Sequence, residues 1–171
     1  HPPVHTGYAG DRGGNTYQVQ VRGQGSNLHR VWDGDVVTTA TRNEQRNLRR
    51  LRALPMPVVC AVNGVAAGAG ANLALACDIV IAAKSASFIQ AFCRIGLIPD
   101  SGGTYWLPRL VGTARAIGLA MLGDKVSAEE CLRIGLANRV VEPERLMDDA
   151  IALALRLAQG PALALAMTKK M

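Results

Sequence analysis

Aromatic side chains are scarce, at 4% of the 171 residues. A chain this poor in rings has little with which to stack nucleobases. Histidine is confined to His1, His5 and His29, and the four cysteines, Cys60, Cys77, Cys93 and Cys131, stand far apart with no C-x-x-C pair and no histidine nearby. That spacing argues against a zinc site and against a Cys/His nucleophile pair, and leaves buried free thiols in a reducing compartment as the expectation. Long hydrophobic runs are missing too. The nearest approach, Val58 to Ala76, is interrupted by Asn63, three glycines and Asn72. Nothing there is long enough to span a bilayer, and the first residues lack a basic cap followed by an apolar run, so neither a membrane partner nor a signal peptide is expected. The expected location is cytoplasmic.

Acidic residues are outnumbered, 13 against 19 lysines and arginines, for a formal charge of +6. Most of the excess lies in residues 1–56, where eight arginines face only Asp11, Asp33, Asp35 and Glu44. A basic patch for nucleic acid would show itself as steeply salt-dependent binding. Tyr8, Tyr17 and Trp32 are too scattered to interleave with those arginines as a stacking platform, and solvated arginines are the preferred reading, with no nucleic-acid partner.

What the chain does have is 49% hydrophobic residues, dominated by small and aliphatic types, enough for the core of one compact domain. Residues 1–47 form an atypical N-terminal segment in which the only clear alternation is Tyr17-Gln-Val-Gln-Val-Arg22. Two readings stay open for it: a disordered or weakly structured extension, or a shifted reading frame. At Leu48 the texture changes. Leucines recur at helical spacing to Leu54 with arginines facing away, which predicts a surface helix that Pro55 and Pro57 end. Val58 to Val62 reads as a strand buried on both faces, Ala71 to Cys77 as a short buried helix, and Asp78 to Ala82 and Ser87 to Ile89 as two further strands. Strand, helix and strand in alternation predict an α/β fold.

Helical patterns then follow over Gly103 to Leu107 and Thr113 to Leu122. Ser127-Ala-Glu-Glu130 has the form of a capping box that starts a helix to Ile134, with Gly135 as its stop. Leu136 to Val141 is a short extended segment. Glu144 to Ala158 carries Leu146, Ala150, Leu153 and Leu157 on one face, and Gly160-Pro161 separates it from a last helix. The chain stops at Met171 inside that last pattern, which suggests a truncated end.

Two turns between strand-like and helical stretches carry the candidate chemistry. Asn63-Gly-Val-Ala-Ala-Gly-Ala-Gly70 is a weak match to a dinucleotide fingerprint, because Leu73 occupies the third glycine position and no acid follows about twenty residues on. Its glycines either let a helix pack tightly on the sheet, or leave the amides of Gly68, Ala69 and Gly70 unshielded at a positive helix end, ready for an oxyanion. The second turn, Ile98-Pro-Asp-Ser-Gly-Gly-Thr104, supplies Asp100. An ordinary N-cap has the same form. The apolar Ile95-Gly-Leu-Ile98 before it predicts a dry wall that would raise the carboxyl pKa. An amide donor with one carboxylate suits proton removal beside a carbonyl, since the amide stabilises the enolate while the acid moves the proton.

From about Leu48 onward the chain resembles the crotonase family, the enoyl-CoA hydratases and isomerases. The resemblance is carried by Pro57-Val-Val-Cys-Ala-Val-Asn-Gly64, Ala67-Gly-Ala-Gly70, Cys77-Asp78, Ala86-Ser-Phe88, Gly96-Leu-Ile-Pro99, Gly102-Gly-Thr104 and Leu107-Pro-Arg109. It implies that residues 48–171 are a crotonase-like domain, an α/β spiral of ββα units (ClpP/crotonase type) incomplete at both ends. It also implies a homotrimer or hexamer and an acyl-CoA thioester substrate, with no metal or redox cofactor and coenzyme A present only as part of that substrate. By the same resemblance the Ala69 amide, flanked by Gly68 and Gly70, is one oxyanion donor. The hydratases place two glutamates where this chain has Asn72 and Phe92, so Asp100 is the catalytic acid that remains, as in the family's isomerases. The implied reaction is rearrangement of a ring-epoxide of phenylacetyl-CoA to the oxepin thioester, or a double-bond shift in an enoyl-CoA. The family's other oxyanion amide comes from a loop before Leu48 that residues 1–47 do not display. Its absence keeps a non-catalytic fragment, and a hydratase, as alternatives.

Overall fold

The computed structural model describes residues 18–21, 24–27 and 48–170. In the N-terminal segment β1 (Gln18–Val21) pairs antiparallel with β2 (Gln24–Asn27), so the alternation seen from Tyr17 does mark a strand, while β2 has no such pattern. The open readings of the remaining N-terminal residues, together with the search for an oxyanion loop there, lie outside the described residues.

Residues 48–53 are helical, and Pro55 and Pro57 follow, as their blocked amides require. Two successive strands come next. β3 (Val59–Val62) and β4 (Val65–Ala67) are separated by Asn63-Gly64 and belong to different sheets. Helix α1 (Ala69–Leu75) completes the unit. The pattern then repeats with β5 (Ile79–Ala83) and β6 (Ser87–Ile89), which lie parallel to β3 and β4 respectively. A 3-10 turn (Ala91–Ile95) leads to α2 (Gly103–Val111). Consecutive strand-strand-helix units stacked in parallel are the spiral that the sequence implies.

The remaining elements close the two sheets. Helix α3 (Thr113–Leu122) leads to β7 (Lys125–Ser127), which pairs antiparallel with β6. Helix α4 (Ala128–Ile134) leads to β8 (Arg139–Val141), parallel to β5. After a 3-10 turn at Pro143–Arg145, α5 (Leu146–Ala158) packs across β3 and β5, and α6 (Ala162–Thr168) follows. Among the described residues no single helix is long and apolar enough to cross a membrane. The segments Pro143–Ala158 and Ala162–Thr168 reach that length only together, across a 111° bend.

The core is aliphatic and small, as the composition predicts. Val62, Ala66, Ala71, Ala74, Ile81, Ala82 and Leu146 are fully buried in one cluster around Phe88 and Leu107. Two expectations change here. The strand buried on both faces is β5, the centre of its sheet; β3 is an edge among the described strands and three of its four residues are only half-buried. The arginines of the 48–53 helix do not all face away: Arg52 turns inward to Asp78, because that carboxylate gives a charge something to pair with at the edge of the core.

Ser127 caps α4 as predicted, its Oγ accepting from the Glu130 N–H, and Gly135 stops the helix in the left-handed region. The reciprocal half of the capping box does not form, since the Glu130 carboxylate pairs with Arg133 instead. All four cysteines are free, but only Cys131 is fully buried, where burial pushes its thiol up to about 12.

Candidate active site

Both candidate turns end in a helix whose first residue follows a glycine of positive φ, and neither helix has a side-chain cap. Gly68 (φ 54°) begins α1. Its own N–H is spent on the Ile89 carbonyl at 2.9 Å, which ties the turn to β6. The Gly68 carbonyl accepts from the Asn72 N–H, and the N–H groups of Ala69 and Gly70 have no acceptor among the described residues. Ala69 is half-buried while Gly70 is buried, so of these two residues Ala69 is the more open. The packing reading of the glycines holds, since Gly70, Ala71 and Ala74 are buried, and the amide just before them has no acceptor among the described residues.

Phe92, which the resemblance sets against the second glutamate of the hydratases, is buried. A Cβ added to Gly68 would meet its Cζ at 3.6 Å, so an apolar ring backs this turn. Asn72, which the resemblance sets against the first glutamate, is fully buried. Its Nδ2 donates to the Asp100 carbonyl at 2.9 Å, and its Oδ1 accepts from Gln90 Nε2 at 2.9 Å. Gly103 lies so close that a Cβ there would sit 2.3 Å from Asn72 Nδ2. The two turns are therefore joined through one side chain.

Asp100 lies on the wall of an open groove of about 770 Å³ with Leu48, Arg49, Arg52, Ser101, Tyr105 and Trp106. It is the only carboxylate among the described residues that line it. The residue is exposed, yet partial burial of its carboxyl raises its pKa above the usual carboxylate value, and a hydrogen bond from Ser101 opposes the rise. The dry wall is not the one predicted. Ile95, Leu97 and Ile98 are exposed, and Leu97 and Ile98 border a separate apolar cavity of about 500 Å³ with Leu107, Ile117 and Met121. Gly96, in the left-handed region, ends the preceding 3-10 turn before them. The apolar surface facing Asp100 comes instead from Leu48, Ala53 and Trp106. None of Gly68, Ala69 and Gly70 lines the groove; their connection to it runs through Asn72.

The turn itself is strained. Ser101 (φ 47°) is the one non-glycine residue of positive φ among the described residues, and Gly102 (φ 74°) follows it. Such a backbone costs a side-chain-bearing residue about 1–2 kcal/mol. At 102 the neighbour also demands glycine, since a Cβ would lie 2.9 Å from Trp106 Nε1.

Sequence reasoning missed the brace behind the groove. Asp78 accepts from Arg52 Nη1 at 2.7 Å, from Lys169 Nζ at 2.8 Å and from the Val58 N–H at 2.8 Å. Lys169, with 4% of its side chain exposed, also donates to the carbonyls of Leu51 and Met56. Arg52 lies 4.9 Å over the Trp106 ring. The helical wall of the groove is thus pinned to the end of α1 and to the last residues of the chain. A lone Asp after a cysteine gives no sign of this, because its partners are 20 or more residues away.

A family model described as enoyl-CoA hydratase/isomerase matches residues 24–171. A 1,2-epoxyphenylacetyl-CoA isomerase of Escherichia coli (strain K12) is 57% identical over 123 residues, which is 72% of this chain and 47% of that protein. A probable enoyl-CoA hydratase of Rhodobacter capsulatus is 55% identical over 123 residues, 72% of this chain and 48% of that protein. Among solved structures, an enoyl-CoA hydratase from Mycobacterium avium subsp. paratuberculosis K-10 superimposes with a TM-score of 0.72 at 41% identity, over 74% of this chain and 51% of that one. A monofunctional enoyl CoA isomerase from M. smegmatis does so with a TM-score of 0.69 at 39% identity, over 74% of this chain and 60% of that one. The chain spans about half the length of the curated relatives it matches.

Proposed function

From the premise that this chain belongs to the enoyl-CoA hydratase/isomerase family, with its crotonase-type α/β fold, we propose that the protein is an acyl-CoA isomerase in which Asp100 moves a proton on a thioester held by the Ala69 amide. The observation that carries the reading is that Asp100 is the sole carboxylate among the described residues of its groove, and the family resemblance supports it by setting Asn72 and Phe92 where the hydratases have glutamates. Addition of water calls for a pair of acid/base groups around it. Moving a hydrogen along a carbon chain calls for one.

In this mechanism the thioester oxygen accepts a hydrogen bond from the Ala69 N–H, which lies at the positive end of α1. Charge that develops on that oxygen as the enolate forms is stabilised there, so the protons on the α and γ carbons become more acidic. The Asp100 carboxylate takes a proton from one carbon, the electron pair delocalises into the enolate, and the carboxylic acid returns the proton to another carbon. A pKa above the ordinary carboxylate value serves the first step, because it makes the carboxylate a better base. The reading calls for no cofactor beyond the coenzyme A that the substrate carries.

The substrates proposed are ring-1,2-epoxyphenylacetyl-CoA and enoyl-CoAs. The name of the 57% identical relative supports the first. A cytoplasmic location and a homotrimer or hexamer belong to the same proposal. The test is to supply both substrates to the parent protein and to Asp100→Asn and to follow rearrangement and water addition separately. Isomerisation that disappears in the variant supports the reading. Water addition by the parent at a rate above isomerisation would replace it with the hydratase alternative, which the name of the 55% identical relative favours.

A further inference from the structure

Among the described residues, Asn72 is the one side chain whose hydrogen bond runs from the helix of the polarising amide to the backbone of the acid. It stands on α1 three residues after Ala69, it is fully buried, and its two hydrogen bonds run to opposite sides: Nδ2 to the Asp100 carbonyl and Oδ1 from Gln90 Nε2. Gln90 is itself buried, at 5% exposure, and its Oε1 has no partner among the described residues. A buried amide that leaves one of its polar atoms unmet carries a desolvation cost, so the bond it does make to Asn72 is held against a penalty.

We infer that Asn72 is a positioning residue: it fixes the Asp100 turn to the first turns of α1, and Gln90 orients its amide so that the NH₂ group, not the oxygen, faces the Asp100 carbonyl. This rests on the roles given above to Ala69 and Asp100. The Asp100 carbonyl accepts two donors, Gly103 N–H at 2.7 Å and Asn72 Nδ2 at 2.9 Å, and both of its lone pairs are engaged. With that carbonyl held, the direction in which the Asp100 side chain leaves the backbone is held too. The left-handed Ser101 next to it stores strain that would relax if the carbonyl were released. A displaced acid matters, because an error of about 1 Å in placement can lower a rate on the order of 100-fold.

The same geometry explains why glutamate at this position would not restore a two-acid site. A carboxylate at 72 has no donor for the Asp100 carbonyl, and it would place acceptor against acceptor in the space left by Gly103. Asn72, one of the two residues by which the resemblance separates this chain from the hydratases, thus has work of its own in keeping the remaining acid in place.

The test uses the full chain with Asn72→Ala and Gln90→Met, the second of which replaces a side chain of similar length and leaves Asn72 present but unoriented. Amide hydrogen exchange is read over residues 98–104, with residues 128–134 of α4 as an internal reference, and kcat and KM are measured for isomerisation. The expected result is exchange at 98–104 that rises several-fold in both variants while the α4 segment is unchanged, with kcat lowered about 10- to 100-fold and KM little altered. Exchange at 98–104 that stays at the parental rate, or rises only in step with α4, overturns the inference. Asp100→Asn is measured beside them: full turnover in that variant refutes the role of Asp100, while the exchange data still decide whether Asn72 holds the turn.

Discussion

The turn at Gly68 and the turn at Asp100 are built on one plan and used in opposite ways. Each delivers the chain into an uncapped helix through a glycine of positive φ. At the first, the residues that follow the Ala69 amide are packed: Gly70, Ala71 and Asn72 are buried, and the Phe92 ring backs Gly68. At the second, the side chain is the open part, exposed at the groove, while the backbone behind it is bonded and strained. The difference teaches that a helix N-terminus becomes a donor when side chains are removed from it, and a platform for an acid when its carbonyl is anchored from behind. Asn72 lets one helix serve both.

The sharpest way to break the comparison is to remove the acid and leave the amide. Asp100→Asn is expected to lower isomerase turnover on the order of 100- to 10,000-fold with little change in KM, measured by steady-state assay. A loss confined to KM would assign Asp100 to binding. Next in size is the brace that both regions share. Asp78→Ala leaves Lys169 and Arg52 without their carboxylate, and with Lys169 almost fully buried the expected loss is about 3–5 kcal/mol in chemical denaturation. A loss below about 1 kcal/mol would mean that the network is incidental to the wall of the groove.

The seam between the turns can be tested from either side. Gly103→Ala puts a methyl group where Asn72 Nδ2 stands, so a loss of about 1–3 kcal/mol is expected from overpacking, together with a fall in turnover. Gly68→Ala meets only ordinary contact with Phe92 and costs the strained positive-φ backbone alone (φ 54°, ψ −123°), about 1–3 kcal/mol. Similar activity losses from both would argue that Asn72 is not the coupling element. The smallest effect concerns pH. Because the folded protein raises the Asp100 pKa, it binds that proton more tightly than the unfolded chain does, so stability falls as pH rises through the carboxylate range. The cost is absent below the unfolded pKa and complete above the folded one. Asp100→Asn is therefore expected to match or exceed the parent in Tm at pH 7, with the difference vanishing near pH 3; a variant less stable at pH 7 alone would reverse the sign.

The parts of this molecule that were legible in the sequence are those fixed locally. Ser127 and Gly135 mark the ends of α4, Ser87–Ile89 and Thr113–Leu122 lie where their patterns place them, and the apolar face of α5 runs through Leu146 and Ala150 into the core. What was not legible depends on distant partners. Strands β4 and β7 have three residues each, too few for a period, and exist because Ala66 and Val126 meet Phe88 across the second sheet. Helix α2 runs past Pro108 to Val111, since the burial of Leu107 and Val111 outweighs one missing donor. At the candidate site, turn chemistry marked the Gly68, Ala69 and Gly70 amides and Asp100 as candidates, and only the family resemblance singled out Ala69 among them. Asn72 could be read only as a missing acid; its two bonds span 18 and 28 residues of sequence and no local pattern encodes them.

The central claim is that one carboxylate moves the hydrogen. An enoyl-CoA incubated with the protein in D₂O should gain deuterium at the carbons between which the double bond shifts, and Asp100→Asn should abolish that incorporation while still binding the thioester. Deuterium entering the substrate at equal rates with and without the Asp100 carboxylate would contradict the account.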